Sequence, residues 1–140
     1  MKDRFFLDTN IFAYSFDTDS QSKSRPAQEL IFQGIEMHKG VISYQVIQEF
    51  FNTAFRKFSH PMPFADAEQY LQTIFQSFLI VQSSTALFSQ ALRLKEKHLL
   101  SWYDSLIISA AIESQCTILF SEDFNHGQKF GKLQIRNPFL

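Results

Sequence analysis

The chain has 140 residues, 45% of them hydrophobic, which suits one ordinary domain with a filled core and makes one compact domain the default. Its 13 basic and 14 acidic side chains give a formal charge of −1, so the bulk charge carries none of the basic footprint of a general nucleic-acid binder. The lone Cys116 excludes an intrachain disulfide and leaves no cysteine pair for a structural zinc site. No apolar run approaches the ~18 to 20 residues that span a bilayer. The opening Met1-Lys2-Asp3-Arg4 does not read as a signal peptide, so a cytoplasmic protein is expected.

In chain order, Phe5-Leu7 is a short apolar run ending in a carboxylate and reads as a buried strand. A helix is expected from about Ser24 to His38, with Pro26 in its first turn and Gly40 closing the segment. Val41-Ser43 is a second strand. Tyr44 to Phe58 places Val46, Phe50, Ala54 and Phe58 four apart, an amphipathic helix. His60-Pro63 breaks the chain, a helix over Ala65-Phe78 follows, and Leu79-Val81 is a third strand. Helices over Thr85-His98 and from about Trp102 to Gln115 precede a fourth strand at Thr117-Phe120 and a fifth at Leu133-Arg136. Strands that alternate with helices, and are continuously apolar, predict an α/β fold with a parallel sheet of about five strands covered on both faces. The 17 phenylalanines recur at core spacing and are read as packing.

Four carboxylates draw attention. In an open parallel sheet, ligands bind beyond the carboxyl ends of the strands. Asp8 directly follows the first strand and Asp123 closely follows the fourth, although an acid there also serves as a helix cap or turn former. Asp104 is in line with Ile107, Ile108 and Ala111, while Ser105, Ser109 and Glu113 define another side, so a carboxylate shares an apolar face. Its structural rival is a capping box from Ser101 to Asp104. Glu49 shares a helix face with Gln45, Asn52 and Arg56, the pattern of a solvated surface or of a substrate groove, where Arg56 and Lys57 would meet phosphate. Were all four acids to converge, their repulsion would reach several kcal/mol. A divalent cation would then be required, and all-oxygen ligands select Mg²⁺ or Mn²⁺ for phosphoryl chemistry.

The segments Phe6-Leu7-Asp8-Thr9-Asn10, Ser43 to Phe50, Tyr103 to Ile107 with Ala110-Ala111, and Leu119 to Phe124 resemble, in order and spacing, the successive motifs of PIN-domain proteins, particularly VapC-like toxins of toxin–antitoxin pairs. The closing Leu133 to Phe139 resembles that family's last strand and tail, so a single PIN domain over residues 1–140 is expected. The resemblance implies a Rossmann-like sheet and Mg²⁺- or Mn²⁺-dependent endonucleolytic cleavage of RNA. By position it makes Asp8, Glu49, Asp104 and Asp123 the metal-binding catalytic set, with Asn10 and Ser121 orienting them. It also implies a homodimer and a small antitoxin partner. Glu122 competes with Asp123 for the metal-facing position, and His126-Gly127 resemble an Asp-x-x-His-Gly variant of the motif. Two other readings stay open: a catalytically silent PIN-like fold that binds RNA, and an aspartate-based phosphotransfer enzyme. The latter would be expected to carry a second aspartate where this chain has Asn10.

Overall fold

The computed structural model describes residues 3–140; Met1 and Lys2, the start of the N-terminal stretch read above, lie outside the described residues. The elements are β1 (Phe5–Leu7), α1 (Thr9–Tyr14), α2 (Gln21–Glu36), β2 (Gly40–Ser43), α3 (Tyr44–Arg56) and α4 (Phe64–Thr73). A 3₁₀ turn (Phe75–Ser77) leads to β3 (Leu79–Val81), α5 (Thr85–His98), α6 (Trp102–Glu113), β4 (Ile118–Phe120), β5 (Lys129–Phe130) and β6 (Leu133–Arg136).

The strands form one sheet in the order β3-β2-β1-β4-β6-β5. All pairings are parallel except the β5–β6 hairpin. From β1 the chain first winds outward through β2 to β3, then returns to lay β4 on the other side of β1, with Leu7 beside Phe120. The winding therefore reverses between β1 and β4, the crevice where doubly wound sheets bind their ligands.

Neighbouring residues on a strand point to opposite faces. Phe6 and Leu7, like Val41 and Ile42, are all buried, so both faces of the central strands are covered, as expected. The edge strand β3 departs from this pattern, with Leu79 exposed. α1 packs on α2 and α3, α5 packs along α6, and α2, α3 and α6 all meet β2. Gly34 of α2 and Gly40 of β2 permit that closeness: a Cβ on Gly40 would lie 2.4 Å from Phe78 and 2.9 Å from the Gly34 Cα.

Much of the core between α1, α3 and α4 is aromatic. Phe50 lies 5.1 Å from Tyr70 in a stacked pair and meets Phe12 and Phe75 edge-on. Such pairs add about 0.5–1.5 kcal/mol each beyond the area they bury. The packing role expected of the phenylalanines thus holds for this cluster, whereas Phe64 is exposed.

Several expectations are corrected. The short α1 was not anticipated, and α2 begins at Gln21, which puts Pro26 inside the helix rather than in its first turn. Gly40 opens β2 instead of closing α2. The helix expected over 65–78 ends at Thr73, and the sheet has six strands because Lys129–Phe130 folds back on β6 through Gly131, at φ 63°. No helix among the described residues is long and apolar enough to cross a membrane.

Candidate active site

Asp8 stands one residue beyond β1, at the point where the sheet reverses. Its backbone is extended (φ −73°, ψ 165°) and its carboxylate caps α1, with Oδ1 accepting the Thr9 N–H at 2.7 Å. Oδ2 accepts the Ser121 hydroxyl at 2.7 Å from the residue that follows β4. The Ser121 oxygen in turn accepts the Asp123 N–H at 3.0 Å, and the Asn10 amide donates to Asp123 Oδ2 at 3.1 Å. Asn10 also accepts the Glu122 N–H through Oδ1 at 3.4 Å. One hydrogen-bonded chain thus runs from Asp8 through Ser121 to Asp123, with Asn10 bracing the loop.

Glu49 is brought in from α3, whose N-terminus is capped by Ser43 at the carboxyl end of β2. Glu49 is half-buried and accepts the Thr9 hydroxyl at 2.7 Å and the Gln45 amide at 3.1 Å. Its helix face therefore looks toward the reversal point; the pattern that resembled a solvated surface is that of a groove wall. Asp104 lies in the first turn of α6, where the Ser101 hydroxyl accepts its N–H at 3.1 Å, so the helix cap exists beside the acid. The two-sided reading of α6 is corrected. Ser105 and Ser109 are as buried as Ile107 and Ile108, because their hydroxyls donate to the carbonyls of Ser101 and Leu87.

The charge of Glu49 is felt at the other three acids. Burial pushes the Asp8 carboxyl up from 3.8 to about 7 despite the Ser121 and Thr9 hydrogen bonds that oppose the rise, and the charges of Asp123 and Glu49 add to it. Burial also raises Asp104, against its Ser101 hydrogen bond, and Glu49 adds charge there. Asp123 is raised by burial, held back by Asn10, and lifted further by Asp104, Glu122 and Glu49. None of the four acids forms an ion pair: among the described residues the one ion pair, Lys23 to Glu122 at 2.8 Å, lies outside the cluster.

Glu122 turns away from Asp123. Its carboxylate accepts the Tyr14 hydroxyl at 2.5 Å and the Lys23 ammonium. Burial works to raise Glu122, but the Lys23 and Tyr14 hydrogen bonds outweigh it and leave the carboxyl below its usual range. Lys23 also sits 4.3 Å above the Tyr14 ring, which meets Phe139 of the tail edge-on at 5.0 Å. His126 is committed to the same tail, its Nδ1 accepting the Asn137 N–H at 3.0 Å.

Of the two basic candidates, Lys57 lines a cleft of about 440 Å³ together with Asn10, Glu49, Asn52 and Asp123. Arg56 is exposed on α3 and is not among the residues lining that cleft. Among the described residues no three His, Cys, Asp or Glu side chains are already gathered to hold a metal ion, so the expected four-acid cluster is not closed up as it stands. The carboxylate oxygens are instead turned to Thr9, Ser121 and Asn10. The donor set still fits a hard divalent cation: it is all oxygen, its four carboxylates form no ion pair among the described residues, and it includes one buried carboxylate.

The family model of the PIN domain matches residues 5–129. The chain belongs to the PIN-domain family. No curated protein matches the chain in sequence. This PIN domain is similar in fold to a toxin–antitoxin complex from Klebsiella pneumoniae, at a TM-score of 0.67 and 18% identity over 95% of this chain and 96% of that one. It is similar to Mycobacterium tuberculosis VapC20, a sarcin-ricin loop cleaving toxin, at 0.63 and 19% identity over 85% and 91%. DNA-bound VapBC from Salmonella typhimurium gives 0.68 and 12% identity over 97% and 98%.

Sequence reasoning missed the roles of four residues at this candidate site: Thr9 and Gln45, which hold Glu49, and Tyr14 and Lys23, which hold Glu122. Thr9 lay in plain view inside the Asp8-Thr9-Asn10 motif. Tyr14 and Lys23 gave no signal, since they are joined to Glu122 only by the fold.

Proposed function

We propose that this PIN domain is a metal-dependent endoribonuclease that hydrolyses RNA phosphodiester bonds and forms the toxin half of a toxin–antitoxin pair. The observation that carries the reading is the Asp8 carboxylate, buried at the sheet's reversal point and raised further by Asp123 and Glu49, none of the three held in an ion pair among the described residues. Burying an ionised carboxylate without a counter-charge is costly, and a divalent cation removes that cost. Asp8, Glu49, Asp104 and Asp123 would hold Mg²⁺ or Mn²⁺, which supplies activation of a water and stabilisation of charge on the scissile phosphate.

The chain's own groups set the stage for that chemistry. Ser121 and Asn10 orient Asp8 and Asp123 across the β1–β4 crevice, Thr9 and Gln45 orient Glu49 from the opposite wall, and Lys57 offers a positive charge to the phosphate backbone. The similarity to toxin–antitoxin complexes supports a small antitoxin as partner and a homodimeric toxin. The intact acid set and its mutual electrostatics favour a working nuclease over a silent binding fold.

The test is cleavage of a mixed cellular RNA pool by purified protein with Mg²⁺, with Mn²⁺ and with EDTA, alongside Asp8→Asn. Metal-dependent cutting that the variant lacks is the expected result. RNA binding with no cutting under either metal, by folded protein free of antitoxin, would replace this reading with the silent fold.

A further inference from the structure

Beside the acids, on the Gln45 side, lies a second and smaller hollow of about 240 Å³, walled by Gln45, Gln48, Phe88, Trp102 and Tyr103, with Leu106 also lining it. It is smaller than the ~300–1,000 Å³ clefts that take drug-sized molecules. One wall belongs to the candidate active site itself: the Gln45 amide is 3.1 Å from Glu49 Oε2 and 3.1 Å from the Tyr103 carbonyl oxygen, and Tyr103 precedes Asp104. The hollow is therefore one side chain away from the acids.

Its chemistry is specific. Phe88 and Trp102 lie 6.3 Å apart with their planes tilted by 38°, so neither face is used up by stacking on the other. Tyr103 is 64% exposed. Among the described residues the Gln48 amide, the Trp102 indole N–H and the Tyr103 hydroxyl make no hydrogen bond. Aromatic faces with uncommitted donors and acceptors at their edges suit a flat group that is apolar on its faces and polar on its rim.

We propose that this hollow is a base-binding subsite, which takes one unstacked nucleobase of a single-stranded RNA segment next to the scissile phosphate. The inference rests on the nuclease reading and deepens it by placing a contact to an RNA base beside the acids. RNA is read in loops and single strands, where splayed bases stack on aromatic rings and offer their edges to side-chain amides. Here Trp102 and Phe88 supply the stacking surface, and the Gln48 amide can both donate to and accept from a base edge. A paired helix would keep its bases in the stack and leave the hollow empty, so the subsite selects unpaired substrate.

Trp102 is the chain's single tryptophan, and its fluorescence reports on the subsite alone. In EDTA, which allows binding without cleavage, a short single-stranded RNA is titrated into the protein while anisotropy of a labelled copy follows binding. Saturable quenching of Trp102 is expected, with most of it lost when one nucleotide of the RNA is made abasic. In the cleavage assay, Phe88→Ala and Gln48→Ala are expected to raise KM about tenfold on single-stranded RNA, the loss of a stacking or edge contact. RNA that binds without quenching, or an abasic RNA that quenches equally, would overturn the subsite. So would a Phe88→Ala protein that keeps its KM but sediments as a smaller species, since the face would then be a subunit contact. Failure to cleave any RNA would count against the nuclease reading, while the fluorescence titration would still decide the subsite.

Discussion

Asp8→Asn in metal-free protein isolates the electrostatic strain at the centre of the site. A carboxyl raised from 3.8 to about 7 contributes stability that is whole below the unfolded value and is lost as pH rises through the folded one. Between pH 5 and pH 8 linkage makes that loss about 3 kcal/mol for Asp8 alone. This is a large part of the ~5–15 kcal/mol that holds a domain together. The asparagine cannot ionise, so urea unfolding in EDTA at pH 5, 6, 7 and 8 should show the wild type weakening with pH and the variant nearly flat by comparison. Asparagine can keep the Thr9 N–H bond at its own oxygen, but it presents N–H to a Ser121 oxygen that already accepts Asp123 and Asn10. That mismatch costs about 1 kcal/mol independently of pH, less than the wild type has already lost at pH 5 by the same linkage, so the variant should be the more stable across the series and by the widest margin at pH 8. Millimolar Mg²⁺ should restore the wild type at pH 8 and do little for the variant, because a ligand stabilises only the form that binds it. Parallel pH curves for the two proteins would refute the strain argument, whatever the activity of either.

Thr9→Val removes the hydroxyl that Glu49 accepts at 2.7 Å while keeping the side chain's shape; cleavage at limiting Mg²⁺ should fall about tenfold and recover partly at high Mg²⁺, as expected for a residue that orients a metal-facing acid. Glu49→Gln should abolish most cleavage while circular dichroism stays unchanged, and full activity would return Glu49 to the surface role its periodicity suggested. Lys23→Ala and Glu122→Gln should both raise the Mg²⁺ concentration for half-maximal cleavage several-fold, since they free the loop that carries Asp123, whereas Lys23→Arg should keep it near the wild-type value. Gly40→Ala puts a Cβ 2.4 Å from Phe78 and should destabilise the fold by about 1–3 kcal/mol in chemical unfolding, the usual cost of overpacking.

The elements legible from sequence were those long enough to show a period or set off as a bounded apolar run. α5 appears where its apolar spacing put it, Thr85–His98, and the three-residue strands β1 and β3 were readable because each apolar run is bounded by polar residues. α1 and β5 were not legible: six residues and two residues give no period, and their formation depends on Asp8 as a cap and on β6 as a partner. The serines of α6 misled for another reason. Periodicity counts Ser105 and Ser109 as polar, yet each hydroxyl returns to a backbone carbonyl and can be buried at little cost.

Glu49 shows most clearly why a site is harder to read than a fold. A helix face that borders a polar groove carries the same residue types as one that borders water, so Gln45, Glu49 and Asn52 cannot announce which of the two they meet. What separates the cases is a partner from another element, here the Thr9 hydroxyl. The Asp8-Thr9-Asn10 triplet is where those partners meet. Placed just past a strand end, its three successive side chains reach Ser121 after β4, Glu49 on α3, and Asp123 in the loop beyond β4. The triplet is short enough to be common in sequence, and its informative content lies in the distant residues that receive those three hydrogen bonds. A motif of this kind gains specificity only when its recipients are present at their own positions, which is why the four segments in series carried the family resemblance that the triplet by itself could not.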